Sequence, residues 1–153
     1  MATVHRISEE LFVDSFDLIA LHTTMECYAL AYHINEVFRV LLVRAEKDLE
    51  IGTVSYPMFA YTDEVKDEDW YLVKNVVQKE ESDENKGLFT TSMTVKMNYL
   101  LTERKDINYL LKLYPENSVE IEKTIEAIRA IPKVSMAYQL YVDRLKSRRN
   151  LIF

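Results

Sequence analysis

The 153-residue chain has very little glycine, and this shortage excludes several classes of enzyme. Its two glycines, Gly52 and Gly87, lie far apart in the sequence. Phosphate-binding loops and dinucleotide fingerprints need closely spaced glycines, because the backbone must approach the phosphate. The hydrolase motif in which two glycines flank a nucleophilic serine is also missing. We therefore expect no P-loop, no dinucleotide-binding motif and no hydrolase elbow.

Cysteine and long apolar runs are equally scarce. Cys27 is the only cysteine, so no disulfide can form within the chain, and a secreted protein would carry an unpaired thiol. The longest strongly aliphatic run, Val40–Val43, is far shorter than the roughly 20 residues that a membrane helix requires. The first twelve residues or so contain no apolar stretch typical of a signal peptide. We expect a cytoplasmic protein without a membrane partner.

The charge balance is acidic, with a formal net charge of -6. Nucleic-acid binding needs a clustered excess of Lys and Arg, so we expect no nucleic-acid partner. Acidic residues flank Trp70–Val77 on both sides, and we interpret them as solvated turns. Trp70 and Tyr71 follow three acidic residues, so a buried aromatic strand is a better interpretation than a stacking surface for single-stranded nucleic acid.

The hydrophobic pattern alternates between the period of two typical of strands and the period near 3.6 typical of helices. Strands are predicted for Phe16–His22, Val54–Tyr61, Trp70–Val77, Leu88–Leu101, Tyr109–Tyr114 and Val134–Val142. Helices are predicted for Thr24–Leu42 and from an N-cap at Asn117 to Pro132. We expect a single domain, 1–153, of the α+β class: a mainly antiparallel sheet of about six strands, the middle four in a meander, with two helices packed on one face.

Four potential metal ligands, His22, Glu26, Cys27 and His33, lie close together in the chain. On a helix, however, Cys27 shares the apolar side of Leu30 and Ile34. The zinc spacings CxxC and HExxH are absent from the sequence. We therefore interpret Cys27 as a core residue and expect no metal, no cofactor and no catalytic group here.

The opposite side of the same predicted helix carries two tyrosines. Tyr28 and Tyr32 lie one turn apart, followed by Glu36 and Arg39. Tyrosine is enriched at interfaces because it combines apolar area with a hydroxyl group. These four residues form a candidate interaction surface, in which Glu36 would face Arg39 of a second copy. The alternative is that the chain itself covers this side, for example with Val4–Val13.

The C-terminal segment combines a basic stretch with an apolar end. The basic residues are Arg144, Lys146, Arg148 and Arg149, and the chain then continues Leu151-Ile152-Phe153. Terminal residues fray unless they are held, so an apolar end is expected to dock. We expect it to dock on the core of its own chain, which would leave the basic residues as a surface ridge. That ridge would face either the acidic clusters of the same molecule or an acidic partner.

The chain resembles the bacterial proteins called the IPExxxDY family, small domains without an assigned biochemical role. Three segments carry the resemblance: Phe16–Asn35, Leu100–Leu111 and Ile131–Phe153. Thr102 and Asn108 stand where the motif that names the family has its proline and its aspartate. The resemblance implies a bacterial origin and a similar fold, and it implies no catalytic residues.

Two classes of function are compatible with these patterns. The first is a small interaction or structural module whose partner is another protein or a second copy of the chain. The second is a ligand-binding or catalytic domain whose site is assembled from scattered side chains. A filled core with apolar residues left on the surface favours the first class. A pocket lined by convergent polar groups favours the second.

Overall fold

The computed structural model describes residues 16–82 and 93–153, which form two helices and ten strands. The helices are α1 (Cys27–Phe38) and α2 (Ile121–Arg129). The strands are β1 (Asp17–Thr23), β2 (Val43–Arg44), β3 (Leu49–Ile51), β4 (Val54–Tyr56), β5 (Met58–Asp63), β6 (Glu68–Lys74), β7 (Val76–Ser82), β8 (Met93–Tyr99), β9 (Tyr109–Tyr114) and β10 (Val134–Leu140). Two short 3₁₀ turns, Val142–Arg144 and Arg148–Leu151, follow β10.

Six strands form the main sheet, in the order β10-β1-β9-β6-β5-β2, and every pair is antiparallel. The pairs β3–β4 and β7–β8 form two small separate sheets. The predicted α+β class is confirmed. The predicted meander is wrong, because β6 pairs directly with β9 in the main sheet, whereas β8 pairs with β7 in a separate sheet.

The two faces of the main sheet support two separate hydrophobic cores. The first core lies under both helices and includes Ile19, Leu21, Leu111 and residues of α1 and α2, so the helices pack on one face as expected. The second core lies on the other face, where Leu18, Ala20, Val73 and Leu110 meet the segment after β8 and the C-terminal segment. Side chains alternate between the faces of a strand, which explains how β1 and β9 supply both cores.

Helix α1 ends four residues before its predicted end. Arg39 adopts a left-handed backbone with a φ of 52°, which stops the helix after Phe38. The side chain of Asn35 holds the chain that turns back: its Oδ1 accepts the Leu42 N–H at 2.8 Å and its Nδ2 donates to the Leu42 carbonyl at 3.1 Å. The periodic pattern up to Leu42 therefore overestimated the helix, because Leu42 enters the first core from a loop.

Two of the predicted strands are interrupted. Pro57 separates β4 from β5, and the two halves of predicted Val54–Tyr61 join different sheets. A proline cannot donate a ladder hydrogen bond, so it marks a natural break. Asn75 separates β6 from β7 in the same way, although it carries a backbone N–H.

Asn75 is fully buried and connects the junction of β6 and β7 to the segment after β8. Its side-chain Oδ1 accepts the Leu101 N–H at 2.8 Å, and its Nδ2 donates to the carbonyls of Arg104 and Ile107 at 3.0 and 2.9 Å. Its backbone also bonds to Leu100 and Asn108. Because each of these polar groups is satisfied, Asn75 fixes the loop 100–108 over the second core.

Helix α2 begins close to its predicted start. The Oδ1 of Asn117 accepts the N–H groups of Val119 and Glu120, and the helix proper starts at Ile121. The buried carboxylate of Asp17 accepts the Asn117 N–H at 2.8 Å, which ties this turn to β1. Strand β1 thus determines where the first turn of α2 lies relative to the sheet.

Candidate functional site

The outer side of α1 exposes two tyrosine side chains. Tyr28 is 69% exposed and Tyr32 is 59% exposed, although both belong to a helix whose other side is buried. The Tyr32 hydroxyl donates to Glu36 Oε1 at 3.1 Å, and this bond raises the pKa of Tyr32. We call Tyr28, Tyr32 and Glu36 the tyrosine face. The alternative cover, Val4–Val13, lies outside the described residues.

The structure does not place Arg39 on the tyrosine face. The helix has ended at Phe38, and the left-handed backbone of Arg39 carries its side chain out of the helical phase. Arg39 instead lines a cleft beside Phe38 and Trp70. The sequence prediction grouped Arg39 with the tyrosines because it assumed a longer helix.

The C-terminal segment packs on the second core through a few of its apolar residues. Leu145 and Leu151 are buried there, whereas the four basic residues Arg144, Lys146, Arg148 and Arg149 are exposed. The Phe153 ring also packs on this core, at 5.4 Å from the Tyr71 ring in an edge-to-face arrangement. Ile152 is 56% exposed, so only part of the predicted apolar end, Leu151-Ile152-Phe153, docks.

The four basic side chains of the predicted ridge are exposed to solvent. The ion pairs within residues 16–82 and 93–153 involve other cations, namely His22, Arg44, Arg104 and Lys123. The ridge therefore does not neutralise the described acidic residues near Asp67 or Glu81. The Arg144 guanidinium lies 5.4 Å from the centre of the Tyr141 ring. This ridge remains a candidate surface for an acidic partner.

The side chain of Lys112 links the C-terminal segment to the sheet through hydrogen bonds. This residue is 7% exposed, and its side chain shares a strand face with Leu110 rather than with Leu111. Its Nζ donates to the backbone oxygens of Leu151 and Phe153, both at 2.9 Å. Sequence reasoning missed this residue, although a lysine within the apolar run Tyr109–Tyr114 was a visible signal.

Three aromatic rings surround the same ammonium group. Lys112 Nζ lies 4.4 Å from the centre of the Phe16 ring, 4.3 Å from that of Phe153 and 5.7 Å from that of Tyr71. Such contacts partly replace the lost hydration of a buried cation. Burial lowers the pKa of Lys112 to about 8, and the charge of Asp69 opposes that shift.

Hydrogen bonds from loop 100–108 hold the C-terminal segment at a second place. Glu103 accepts the Ser147 N–H at 2.9 Å and the Ser147 hydroxyl at 2.6 Å, and Asn150 Nδ2 donates to the Leu100 carbonyl at 2.8 Å. Burial raises the pKa of Glu103, but the hydrogen bonds from Ser147 outweigh it and leave the pKa at about 2. Glu103 is therefore a charged anchor for the segment.

A cluster of polar side chains joins β1, β10 and the same loop. His22 Nε2 and the Tyr138 hydroxyl share a hydrogen bond of 2.9 Å, and Arg104 donates to that hydroxyl and to both oxygens of Asp106. The hydrogen bond from Arg104 lowers the pKa of Asp106. These polar groups form hydrogen bonds with one another, so the geometry indicates a structural role: the cluster links the three segments. No local sequence pattern revealed it, because the residues come from three separate segments.

The four predicted metal-ligand candidates do not converge. Cys27 is buried in the first core, where burial raises the pKa of its thiol to about 11. His22 points to Tyr138 on the other face of the sheet, and the His33 ring contacts Tyr32 edge-on at 5.6 Å. Within the described ranges, no group of three His, Cys, Asp or Glu residues is arranged to hold a metal ion.

A half-open cleft of ≈ 260 Å³ is a candidate ligand site. It lies between the end of α1, the start of α2 and one end of the main sheet. Trp70 lines it and is half-buried, with its ring 5.2 Å from that of Phe38. Trp70 is therefore partly a core residue, as expected, and partly a wall of this cleft.

The fold and these sites were compared with known proteins. No family model matches the chain, no curated protein is significantly similar to it, and no solved structure matches it. The resemblance to the IPExxxDY family therefore stays a prediction. Neither helix in the described ranges is long and apolar enough to cross a membrane.

The packing of the C-terminal segment predicts that substitutions at two adjacent residues differ in their effect on the free energy of unfolding. Leu151→Ala should lower the free energy of unfolding by about 2 to 5 kcal/mol, because Leu151 is 1% exposed and its removal leaves a cavity. Ile152→Ala should change it by less than about 0.5 kcal/mol, because Ile152 faces solvent. Urea denaturation of both variants measures this difference. Equal, small effects would show that the segment does not dock on the core.

The buried amine predicts a pH dependence of stability. The folded protein binds the Lys112 proton less tightly than the unfolded chain, whose lysines keep the ordinary pKa of 10.5. The contribution of Lys112 to the free energy of unfolding should therefore rise between about pH 8 and pH 10.5, by an amount on the order of 3 kcal/mol. The raised pKa of Cys27 acts in the opposite direction above its ordinary value of 9.0, so this rise is measured as the difference between the parent protein and the Lys112→Met variant. Lys112→Met should remove this rise, whereas Lys146→Met, at an exposed site, should keep it. The same pH slope in all three proteins would contradict the assignment.

Proposed function

We propose that this protein is a small protein–protein interaction module that binds through the tyrosine face of α1. The observation that carries the proposal is the exposure of Tyr28 and Tyr32, which are 69% and 59% accessible on a helix whose opposite side packs in the first core. Exposed tyrosines in neighbouring turns offer apolar area and hydroxyl groups together, which is the chemistry of protein interfaces.

The hydrogen bond between Tyr32 and Glu36 supports this role. It restrains the Tyr32 side chain before a partner arrives, with a donor–acceptor distance of 3.1 Å. A side chain that is already ordered loses less conformational freedom on binding. The remaining carboxylate oxygen of Glu36 is available to accept a hydrogen bond from a partner.

The partner that we propose is a second copy of the chain. An isologous dimer places the same face on both sides of a two-fold axis, so the tyrosines of one copy meet those of the other without any further surface. The expected cross-pair between Glu36 and Arg39 is not part of this arrangement. Glu36 binds Tyr32, and Arg39 lies at the cleft.

The cytoplasm of a bacterium is the setting that we propose for this module. The bacterial origin rests on the resemblance to the IPExxxDY family. The cytoplasmic location rests on Cys27, a buried free thiol in a chain that has no second cysteine. Free thiols are typical of reducing compartments.

Self-association is tested by changing the tyrosine face. The unmodified protein should sediment as a dimer at high micromolar concentration. Tyr28→Glu combined with Tyr32→Glu should give a folded monomer, because four added carboxylates would oppose one another across the two-fold axis. Tyr32→Phe keeps the ring and should weaken the dimer only slightly. Sedimentation velocity measures the oligomeric state, and circular dichroism verifies the fold.

A matched control adds the same charge elsewhere. Val65 and Val119 are also exposed, at 96% and 74%, and they lie outside α1. Val65→Glu combined with Val119→Glu should leave the dimer intact. The proposal fails if the unmodified protein is a monomer at high micromolar concentration, or if this control dissociates as strongly as the tyrosine variant.

A further inference from the structure

Strand β8 has one edge without a partner strand among the residues that the structure describes. It pairs with β7 alone, and the two strands form a small sheet of their own. An unpaired edge presents backbone N–H and C=O groups to which another extended chain can bind. The free edge of β8 is therefore a candidate site for an added strand.

The ladder between β7 and β8 shows which backbone groups lie at this free edge. The Leu100 N–H donates to the Asn75 carbonyl at 2.8 Å, one residue beyond the end of the ladder and in the same register. The direction of the backbone groups alternates along an antiparallel strand. The N–H and C=O groups of Met93, Val95 and Met97 therefore point away from β7, toward the free edge.

The same three residues expose apolar side chains. Met93, Val95 and Met97 are 67%, 54% and 44% exposed, and their spacing of two places them on one face of the strand. Their cross-strand neighbours on β7 include Gln78 and Glu80, which are exposed and polar. The apolar row therefore lies along the free edge, where the side chains of an added strand would cover it.

Lys96 determines which charge fits this edge. It projects from the opposite face of β8, is exposed and forms no ion pair with a described carboxylate. Its direct cross-strand neighbour is Lys79, whose Nζ donates to the Thr53 carbonyl at 3.1 Å, whereas Glu81 lies diagonal to it. Like charges directly opposite each other are destabilising. A carboxylate on the free side of Lys96 would offset this repulsion.

A second copy of β8 fits this edge less well than an acidic strand does. Pairing that matches Met93 of one copy with Met97 of the other places the two Lys96 side chains in diagonal positions, next to Lys79 of each copy. The lysines of both copies would then cluster on one face. Lysine on an exposed edge is a means by which native proteins prevent such self-pairing.

We infer that the free edge of β8 binds an extended acidic segment of another protein as an added antiparallel strand. In that segment, apolar residues that contact Met93, Val95 and Met97 alternate with polar ones, and a carboxylate lies opposite Lys96. Lys96 meets this carboxylate at a non-hydrogen-bonded position, where facing side chains are closest. Main-chain hydrogen bonds give such complexes affinity, and the side chains give specificity. The site is separate from the tyrosine face, so the inference does not depend on the proposed function.

A fluorescein-labelled peptide, Val-Thr-Val-Glu-Val-Thr-Val, tests the inference on the full chain by fluorescence anisotropy. Its glutamate faces Lys96, and its valines face the apolar row. The parent protein should give a saturable rise in anisotropy. It should bind at least about fivefold more weakly to the matched peptide whose glutamate is replaced by lysine.

Backbone methylation of the peptide tests the added strand itself. N-methylation of the two valines that flank the glutamate should abolish binding, because their N–H groups face Val95 and Met97. N-methylation of the two threonines should preserve it, because their N–H groups point to solvent. Equal binding of both methylated peptides would overturn the inference.

Charge reversal on the protein separates recognition at this edge from general stickiness. The Lys96→Glu variant should bind the lysine peptide in preference to the glutamate peptide. Lys146→Glu, at an exposed site in the C-terminal segment, should keep the parent preference, and circular dichroism verifies the fold of both variants. The inference is overturned if the parent protein binds neither peptide, or if Lys96→Glu keeps the parent preference.

The tyrosine variant distinguishes this inference from the proposed self-association. Tyr28→Glu combined with Tyr32→Glu should bind the glutamate peptide as tightly as the parent protein does. If that variant instead sediments as a dimer that the glutamate peptide dissociates, the edge holds a second copy and the inference is overturned.

Discussion

The buried ammonium group of Lys112 is the constraint around which the second core is organised. Strand β9 lies between β1 and β6 in the middle of the main sheet, so the side chain of Lys112 has no route to bulk water along the strand. A buried cation is costly unless it is hydrogen-bonded. The backbone oxygens of Leu151 and Phe153 supply those bonds, and the rings of Phe16 and Phe153 close around the charge.

This requirement explains why the C-terminal segment lies where it does. Residues 141–153 must return to the face of the sheet that Lys112 occupies, and the loop 100–108 holds them there through Glu103 and Ser147. Asn75 in turn holds that loop. Two of the candidate surfaces, the tyrosine face and the cleft, lie on the helical side of the sheet, whereas the basic ridge belongs to the C-terminal segment that Lys112 holds.

The sequence predicted those elements whose apolar residues recur with the period of a strand or of a helix. Phe16–His22 reads as a buried strand, and the stripe of Cys27, Leu30 and Ile34 as a packed helix, because local periodicity determines both. The partners of Asn75 and Lys112 are mostly backbone groups at distant positions, and no side-chain pattern encodes them. On the tyrosine face, the exposure of Tyr28 and Tyr32 was predicted from their position on the helix opposite the apolar side. The position of Arg39 was not predicted, because it depends on how Asn35 binds Leu42.

A double-mutant cycle between Lys112 and Phe153 tests the central role of the buried ammonium group most directly. Lys112→Met removes the charge and keeps the apolar length, and Phe153→Leu removes the ring and keeps an apolar side chain. The free energies of unfolding of the two single variants, the double variant and the parent protein give the coupling energy. A coupling of about 1 kcal/mol or more is expected for a cation held against an aromatic ring away from water. Effects that add within about 0.3 kcal/mol would contradict the account.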